Sequence, residues 1–280
     1  MAAQGQMQDK RLQARERVLK ISVVYSNLTR IFKETQLLDH TTLNDNDLEN
    51  LRIKLSELDL TGDCHGASEL FYKPRPTEDL PKTDWKAVRF SDWTEGISGE
   101  PRRVEHTLQS ASNELWWGRE HPWVQRKCYH EYPSIATGER TPSDPYQWQT
   151  CSDIEIESGD LPHCSFRVFH YAEPEEPLRR SEVLPIVGYM RARLGRGEYF
   201  RHSKFPAYHD GLHLYIAKSQ FVDFKENKRE NYELFVRWIL GVPCGDTTAT
   251  LAIEGQKLGE ANSRRLDAFL KRRFPPGSNE

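Results

Sequence analysis

The segment from Gln147 to Tyr171 constrains the fold more than any other part of the chain. Across residues 150–157 the side chains alternate. Ile154 and Ile156 fall on one side and Asp153, Glu155 and Glu157 on the other, the period of a half-buried strand. Ser158-Gly159-Asp160-Leu161-Pro162 then reads as a turn, and residues 163–171 are again strand-like. A hairpin centred on Asp160 sets Glu157 opposite His163, Glu155 opposite Ser165 and Asp153 opposite Arg167. On its other face Ile156 meets Cys164 and Ile154 meets Phe166. That register sorts polar from apolar side chains, and a slip of one residue destroys the sorting.

Helices are expected on either side of this pair. Val18, Ile21, Tyr25, Leu28 and Phe32 recur at three- and four-residue steps, an apolar stripe of helical period. A second helix is expected to start at Asn44, a good N-cap with Asp47 near the positive end of the dipole, and to stop at Gly62. It would carry Leu48, Leu51, Leu55 and Leu58 on one seam. Two such helices form an N-terminal hairpin over residues 1–72. Its leucine seam either packs on the protein's own core or serves as a dimer interface, and two heptads are too few to decide for a coiled coil.

Pro74, Pro76 and Pro81 mark a linker over 73–84, leaving residues 85–280 as a core domain. Within it the expected elements are a strand at 85–93, a helix at 103–117, a loop at 130–146 and strands at 183–194 and 198–202. Asp210-Gly211 signals a two-residue hairpin leading into 212–224, with His213 opposite Tyr208. Tyr232, Phe235, Val236, Ile239 and Leu240 mark a buried helix face closed by Gly241 and Pro243, and a last helix spans 263–273. Helices, then mostly adjacent strands, then helices predict an α+β fold with a mainly antiparallel sheet.

Composition narrows the class. With 37% hydrophobic residues, seven Trp and eleven Tyr, the 280-residue chain can bury a core that a disordered chain lacks. A net charge of -3 gives no bulk attraction to nucleic acid or to an anionic membrane. No apolar run approaches the roughly 20 residues of a membrane span, and the first residues lack a signal-peptide core. Five cysteines, an odd number without a C-x-x-C pair, fit a reducing cytoplasmic or nuclear setting and not secretion.

The acidic ladder is the leading catalytic candidate. Carboxylates two residues apart on a strand lie about 6–7 Å from one another. Asp153 and Glu155 are therefore candidate ligands of a divalent metal, with Glu157 or His163 as acid–base group. Arg167, Arg191 and Arg193 would form the anion clamp. The plan loosely resembles that of restriction-endonuclease-like nucleases, but no Glu-x-Lys follows. The competing reading is a solvated sheet face with cross-strand ion pairs.

Other patterns are less specific. The basic-aromatic cluster of Arg191, Arg193, Arg196, Arg201, His202 and Lys204, with Tyr199 and Phe200 between, suits anions; alternatively Arg191 and Arg193, sharing a strand face, simply pair with the acidic ladder. His209 and His213 have zinc spacing, but Asp210-Gly211 breaks the helix that such a pair requires. His40-Thr41-Thr42 and His163-Cys164-Ser165 match the motif of two-histidine phosphoesterases, but about one such match is expected by chance and His40 lies between helices, where that family needs a strand. Cys64, His65, His121, Cys128, His130 and Cys151 match no zinc knuckle or ribbon. The last helix is basic through Arg264, Arg265, Lys271, Arg272 and Arg273.

Leu184-Pro185-Ile186-Val187-Gly188, followed by Phe235-Val236-Arg237-Trp238 and Pro243-Cys244-Gly245-Asp246-Thr247, resembles uncharacterised proteins of filamentous fungi. The resemblance covers the C-terminal third. It implies a cytoplasmic fungal protein and no particular reaction.

Three functions fit these observations. The first is a non-catalytic domain that binds a protein partner or itself, through the N-terminal helices or an aromatic-rich sheet face. The second is a metal-assisted hydrolase of phosphodiesters or small phosphorylated substrates. The third is a small-molecule cyclase or isomerase with an aromatic-lined pocket. No motif selects among them.

Overall fold

The computed structural model describes residues 2–61, 71–80, 123–126, 148–170, 177–195, 199, 201–205, 208–223, 227–239 and 241–275. The strand expected at 85–93, the helix at 103–117 and the loop at 130–146 lie outside them, as do Cys64, His65, His121, Cys128 and His130. Of the strand expected at 198–202, the described residues 199, 201 and 202 are helical turn and coil.

The fold is α+β. Helix α1, Ala2–Gln36, carries the predicted stripe, and Val24, Leu28, Ile31 and Phe32 from it are buried. After strand β1, Thr42–Leu43, comes α2, Asp45–Leu51. Its start is the predicted one. Asn44 accepts from the Asp47 N–H at 3.1 Å, and Asp47 accepts from the Asn44 N–H at 2.9 Å, a reciprocal capping box.

The expected end of α2 is wrong. The helix stops at Leu51, Arg52 takes a left-handed φ of 57°, and the chain continues as strand β2, Ile53–Glu57. Leu48, Leu51, Leu55 and Leu58 therefore do not form one seam. Leu51 is buried, and Leu48 and Leu55 pack against the same core. That core joins Leu28, Ile53, Val187 and Leu214, so the N-terminal helices share apolar packing with the later elements.

Strand β2 pairs in parallel with β8, Leu214–Lys218, in a register that sets Ile53 beside Leu214. Two short antiparallel pairs tie distant segments. One joins β1 to β7, Leu178–Arg179, and the other joins β3, Tyr72–Lys73, to β9, Val242–Pro243. A three-stranded antiparallel sheet runs β4-β5-β6, with β4 at Trp123–Arg126, β5 at Trp148–Ile156 and β6 at Cys164–His170.

The predicted hairpin exists, one residue out of the expected register. Glu155 lies opposite Cys164, Asp153 opposite Phe166 and Ser152 opposite Arg167, with an irregularity between Thr150 and Ser152. The sorting argument assumed one solvated face, and this sheet is covered on both. Trp123 and Ile156 pack against Tyr232 and Val236 of helix α4, Lys228–Ile239. Phe166, on the other face, stacks on Tyr189 with ring centres 4.1 Å apart.

Tyr189 belongs to α3, Arg180–Gly195, which replaces the strand expected at 183–194. Val183, Leu184, Val187 and Met190 are buried at helical spacing, although Pro185 and the β-branched residues disfavour a helix locally. Packing on α1 outweighs that propensity. Helix α5, Glu260–Arg273, closes on α1, where Arg15 meets Asp267 at 3.2 Å. Among the described residues no helix is long and apolar enough to cross a membrane.

Candidate functional site

The change from strand to helix separates the proposed anion clamp. Two residues apart on a strand, Arg191 and Arg193 would share a face; on a helix they diverge by roughly 200°. Arg191 packs over the Phe32 ring at 4.8 Å and donates to the Thr29 hydroxyl at 3.2 Å. Arg193 turns the other way, into the protein, and donates to Glu155 at 2.7 Å and to the Tyr199 hydroxyl at 2.7 Å. Burial works against the charge on Arg193, but Cys164, Tyr199 and Glu155 around it outweigh burial and hold it protonated.

The acidic ladder is accordingly dispersed. Asp153 and Glu155 are buried under α3, at 3% and 2% exposure, and the Glu155 carboxylate is engaged by a guanidinium where a metal was expected. Glu157 is exposed in the turn. Arg167 lies opposite Ser152 and hence on the other face from Asp153 and Glu155. His163 is buried edge-on to Tyr72, and its Nε2 lies 3.1 Å from the Cys244 carbonyl. Burial pushes its pKa down, so it is neutral. Among the described residues no three His, Cys, Asp or Glu side chains are placed to hold a metal ion.

The turn at Asp210-Gly211 builds something else. The Asp210 carboxylate accepts the N–H groups of Leu212 at 2.7 Å and His213 at 2.6 Å. Gly211 has φ +99°, and a Cβ there would stand 2.5 Å from Ile253, so no other residue fits. The resulting turn sits one residue later than expected, with the Asp210 N–H donating to the His213 carbonyl at 3.2 Å and His209 opposite Leu214. His213 is therefore not opposite Tyr208. His209 accepts from the Gly211 N–H at 2.9 Å and His213 lies 3.7 Å from Asp210, so the two rings serve different partners.

This pairing places Tyr208 beside Tyr215, whose N–H donates to the Tyr208 carbonyl at 2.8 Å. Their rings stack 5.4 Å apart, and the Tyr215 hydroxyl donates to Asp210 at 2.9 Å. Phe71 leans on Tyr208 at 6.0 Å. The Tyr72 hydroxyl donates to the Cys164 carbonyl at 2.6 Å and accepts from the Cys164 N–H at 2.8 Å, clamping β3 to the start of β6. Trp238 at the end of α4 is held by its N–H on the Leu60 carbonyl at 3.2 Å.

Phe71, Tyr72, Tyr208, Tyr215 and Trp238 line a cavity of about 270 Å³, together with Ile186, Ile216, Cys164 and Ser165. Burial raises the pKa of Tyr72 far above that of a free phenol and raises that of Tyr208 as well, with Asp210 adding to the second. Both hydroxyls stay protonated. A larger cavity of about 350 Å³, lined from α1, the end of α3 and α5, gathers four aromatic rings, Tyr25, Tyr199, Phe205 and Phe269, with the Tyr199 hydroxyl held by Arg193.

Sequence reasoning missed all five aromatic positions. Tyr208 and Tyr215 were within reach once the turn is placed one residue later, since they then face each other across it. Phe71, Tyr72 and Trp238 meet them only through tertiary contacts. No protein family, curated protein or solved structure matches this chain.

Proposed function

We propose that the protein binds a small, planar, largely apolar molecule in the aromatic cavity. The observation that carries this reading is the convergence of five aromatic side chains, from separate chain segments, on one space of about 270 Å³. An apolar cavity of about 150 Å³ admits benzene, so this one suits a ligand of one or two fused rings. Largely apolar walls with a few fixed polar groups are what small-molecule sites offer. The Tyr72 and Tyr215 hydroxyls are already hydrogen-bonded where they anchor the walls, so the site is suited to holding a ligand. Of the leucines that would have formed a helical interface, Leu48, Leu51 and Leu55 are spent on the core and Leu58 lines the cavity, which weighs against association through that seam.

Saturation-transfer NMR with indole, naphthol and quinoline probes tests the reading. At least one probe should receive saturation from the native protein. An Ala217→Trp variant, which fills the cavity from β8, should weaken that probe at least tenfold while keeping a native melting transition. No binding by any probe, or binding unchanged in that variant, overturns the proposal.

A further inference from the structure

Helix α5 carries a charge pattern that neither the core nor the cavity uses. With roughly 100° per residue, Arg264 and Lys271 fall on one line of the helix and Arg265 and Arg272 on the adjacent line, with Ala268 between them. All five positions are exposed, and the Arg264 side chain is 72% exposed. The opposite side of α5 packs inward through buried Leu270 and half-buried Leu266 and Phe269, and Arg15 of α1 fixes it by bonds to Asp267 and to the Ser263 hydroxyl at 2.7 Å.

Of these four cations only Arg264 makes an ion pair among the described residues, with Glu260 at 3.4 Å and open to solvent; Asp267, one turn before Lys271, is engaged by Arg15. Arg265, Lys271 and Arg272 have no ion-pair partner among the described residues. Complementing the helix dipole accounts for Lys271 and Arg272 in the last turn, but not for Arg264 and Arg265 in the first half of the helix.

We propose that this face of α5 binds the phosphodiester backbone of a nucleic acid. Two rows of cations, about 10 Å apart along the axis, match a ligand with regularly repeated anions, and a strand offers one charge per about 3.4 Å. Three of the four cations are arginines, whose planar fork suits phosphate. A membrane fits less well, because the residue amid the cations is Ala268 and the large apolar side chains of α5 face inward. The net charge of -3 means that attraction is confined to such a patch and orients the encounter.

The test is fluorescence anisotropy of the full chain with a labelled 20-nucleotide single strand and the matching duplex, across a salt series. Binding should be saturable at low salt. The slope of log affinity against log salt should be about -3 for the single strand, as four phosphate contacts predict. Arg265→Glu/Arg272→Glu should reduce affinity more than tenfold. Lys33→Glu/Arg229→Glu, with the same charge change on other helices, should reduce it less than threefold. The proposal is overturned by absent binding, by equal losses in the two variants, or by binding only to phosphatidylserine vesicles.

Discussion

Glu155–Arg193 and Asp47–His40 are both contacts of 2.7 Å between a carboxylate and a nitrogen base, yet they sit in opposite surroundings. The first lies between the sheet and α3, with both side chains almost wholly out of water. In the second, Asp47 is buried against α2 but the His40 side chain is 39% exposed and touches a second, fully solvated carboxylate, Asp39, at 2.9 Å. Contact length therefore says little about what a pair contributes. The buried pair is costly to break because each partner would be left charged in a poor solvent, whereas in the second pair water reaches the His40 ring and Asp47 keeps its bond from the Asn44 N–H.

The largest expected effect follows from breaking the buried pair on one side. Arg193→Met should cost about 3–5 kcal/mol in urea denaturation, because Glu155 is left buried without its cation. Joining it with Glu155→Leu should restore most of the loss. A double variant as unstable as the single one would assign Arg193's role to Tyr199, its other side-chain partner, and remove the contrast.

Two histidines sharpen the comparison by pH. Burial pushes His209 down to about 4, against the weaker opposing influence of Asp210. Its contribution is therefore complete above pH 6.5 and is lost as pH falls from 6.5 toward 4, about 3 kcal/mol in all. His163, His170 and His202 are lowered by burial and act in the same direction. Urea midpoints should fall between pH 7 and pH 4.5, and His209→Gln should flatten that fall. An unchanged slope in the variant would refute the assignment.

A smaller effect is expected at the capping box. Asn44→Ala should cost about 1 kcal/mol, since Asp47 then donates its N–H to nothing on the cap. Loss below a few tenths would mean that β1 and β2 alone hold α2. The smallest effect concerns His40, which Asp39 and Asp47 raise above its ordinary value through hydrogen bonds. Its contribution is present below pH 6.5 and is lost as pH rises through the folded value, opposite in sign to His209. The imidazole NMR titration should show a raised midpoint that moves back toward 6.5 in high salt. A salt-insensitive midpoint would mean that the pair is shielded like the buried one.

The same contrast explains what could be read in advance. The α1 stripe, the Asn44 cap, the β5–β6 hairpin and the apolar face of α4 were legible because each is a local pattern with a local cause. The end of α2 was not, because Leu55 and Leu58 continue a helical spacing while β8 captures Ile53 to Glu57 as a parallel partner from far along the chain. Residues 183–194 fit both a strand and a helix, and only packing on α1 chose. The hairpin register failed by one residue because the sorting rule holds for a sheet with one wet face. Of the candidate site, Glu155 and Arg193 were both singled out and do meet, as a structural pair and not as a metal site and an anion clamp.

By itself the sequence determined that this chain folds, that it is α+β, and where most of its helices and its central hairpin begin. Those outcomes rest on composition, period and caps, which act within a few residues. Tertiary structure alone decided that Asp153 and Glu155 are buried, that Arg191 and Arg193 part company, and that five scattered aromatics line one cavity. Burial and dielectric are properties of the surroundings, and the surroundings of a side chain here are supplied by residues tens to hundreds of positions away.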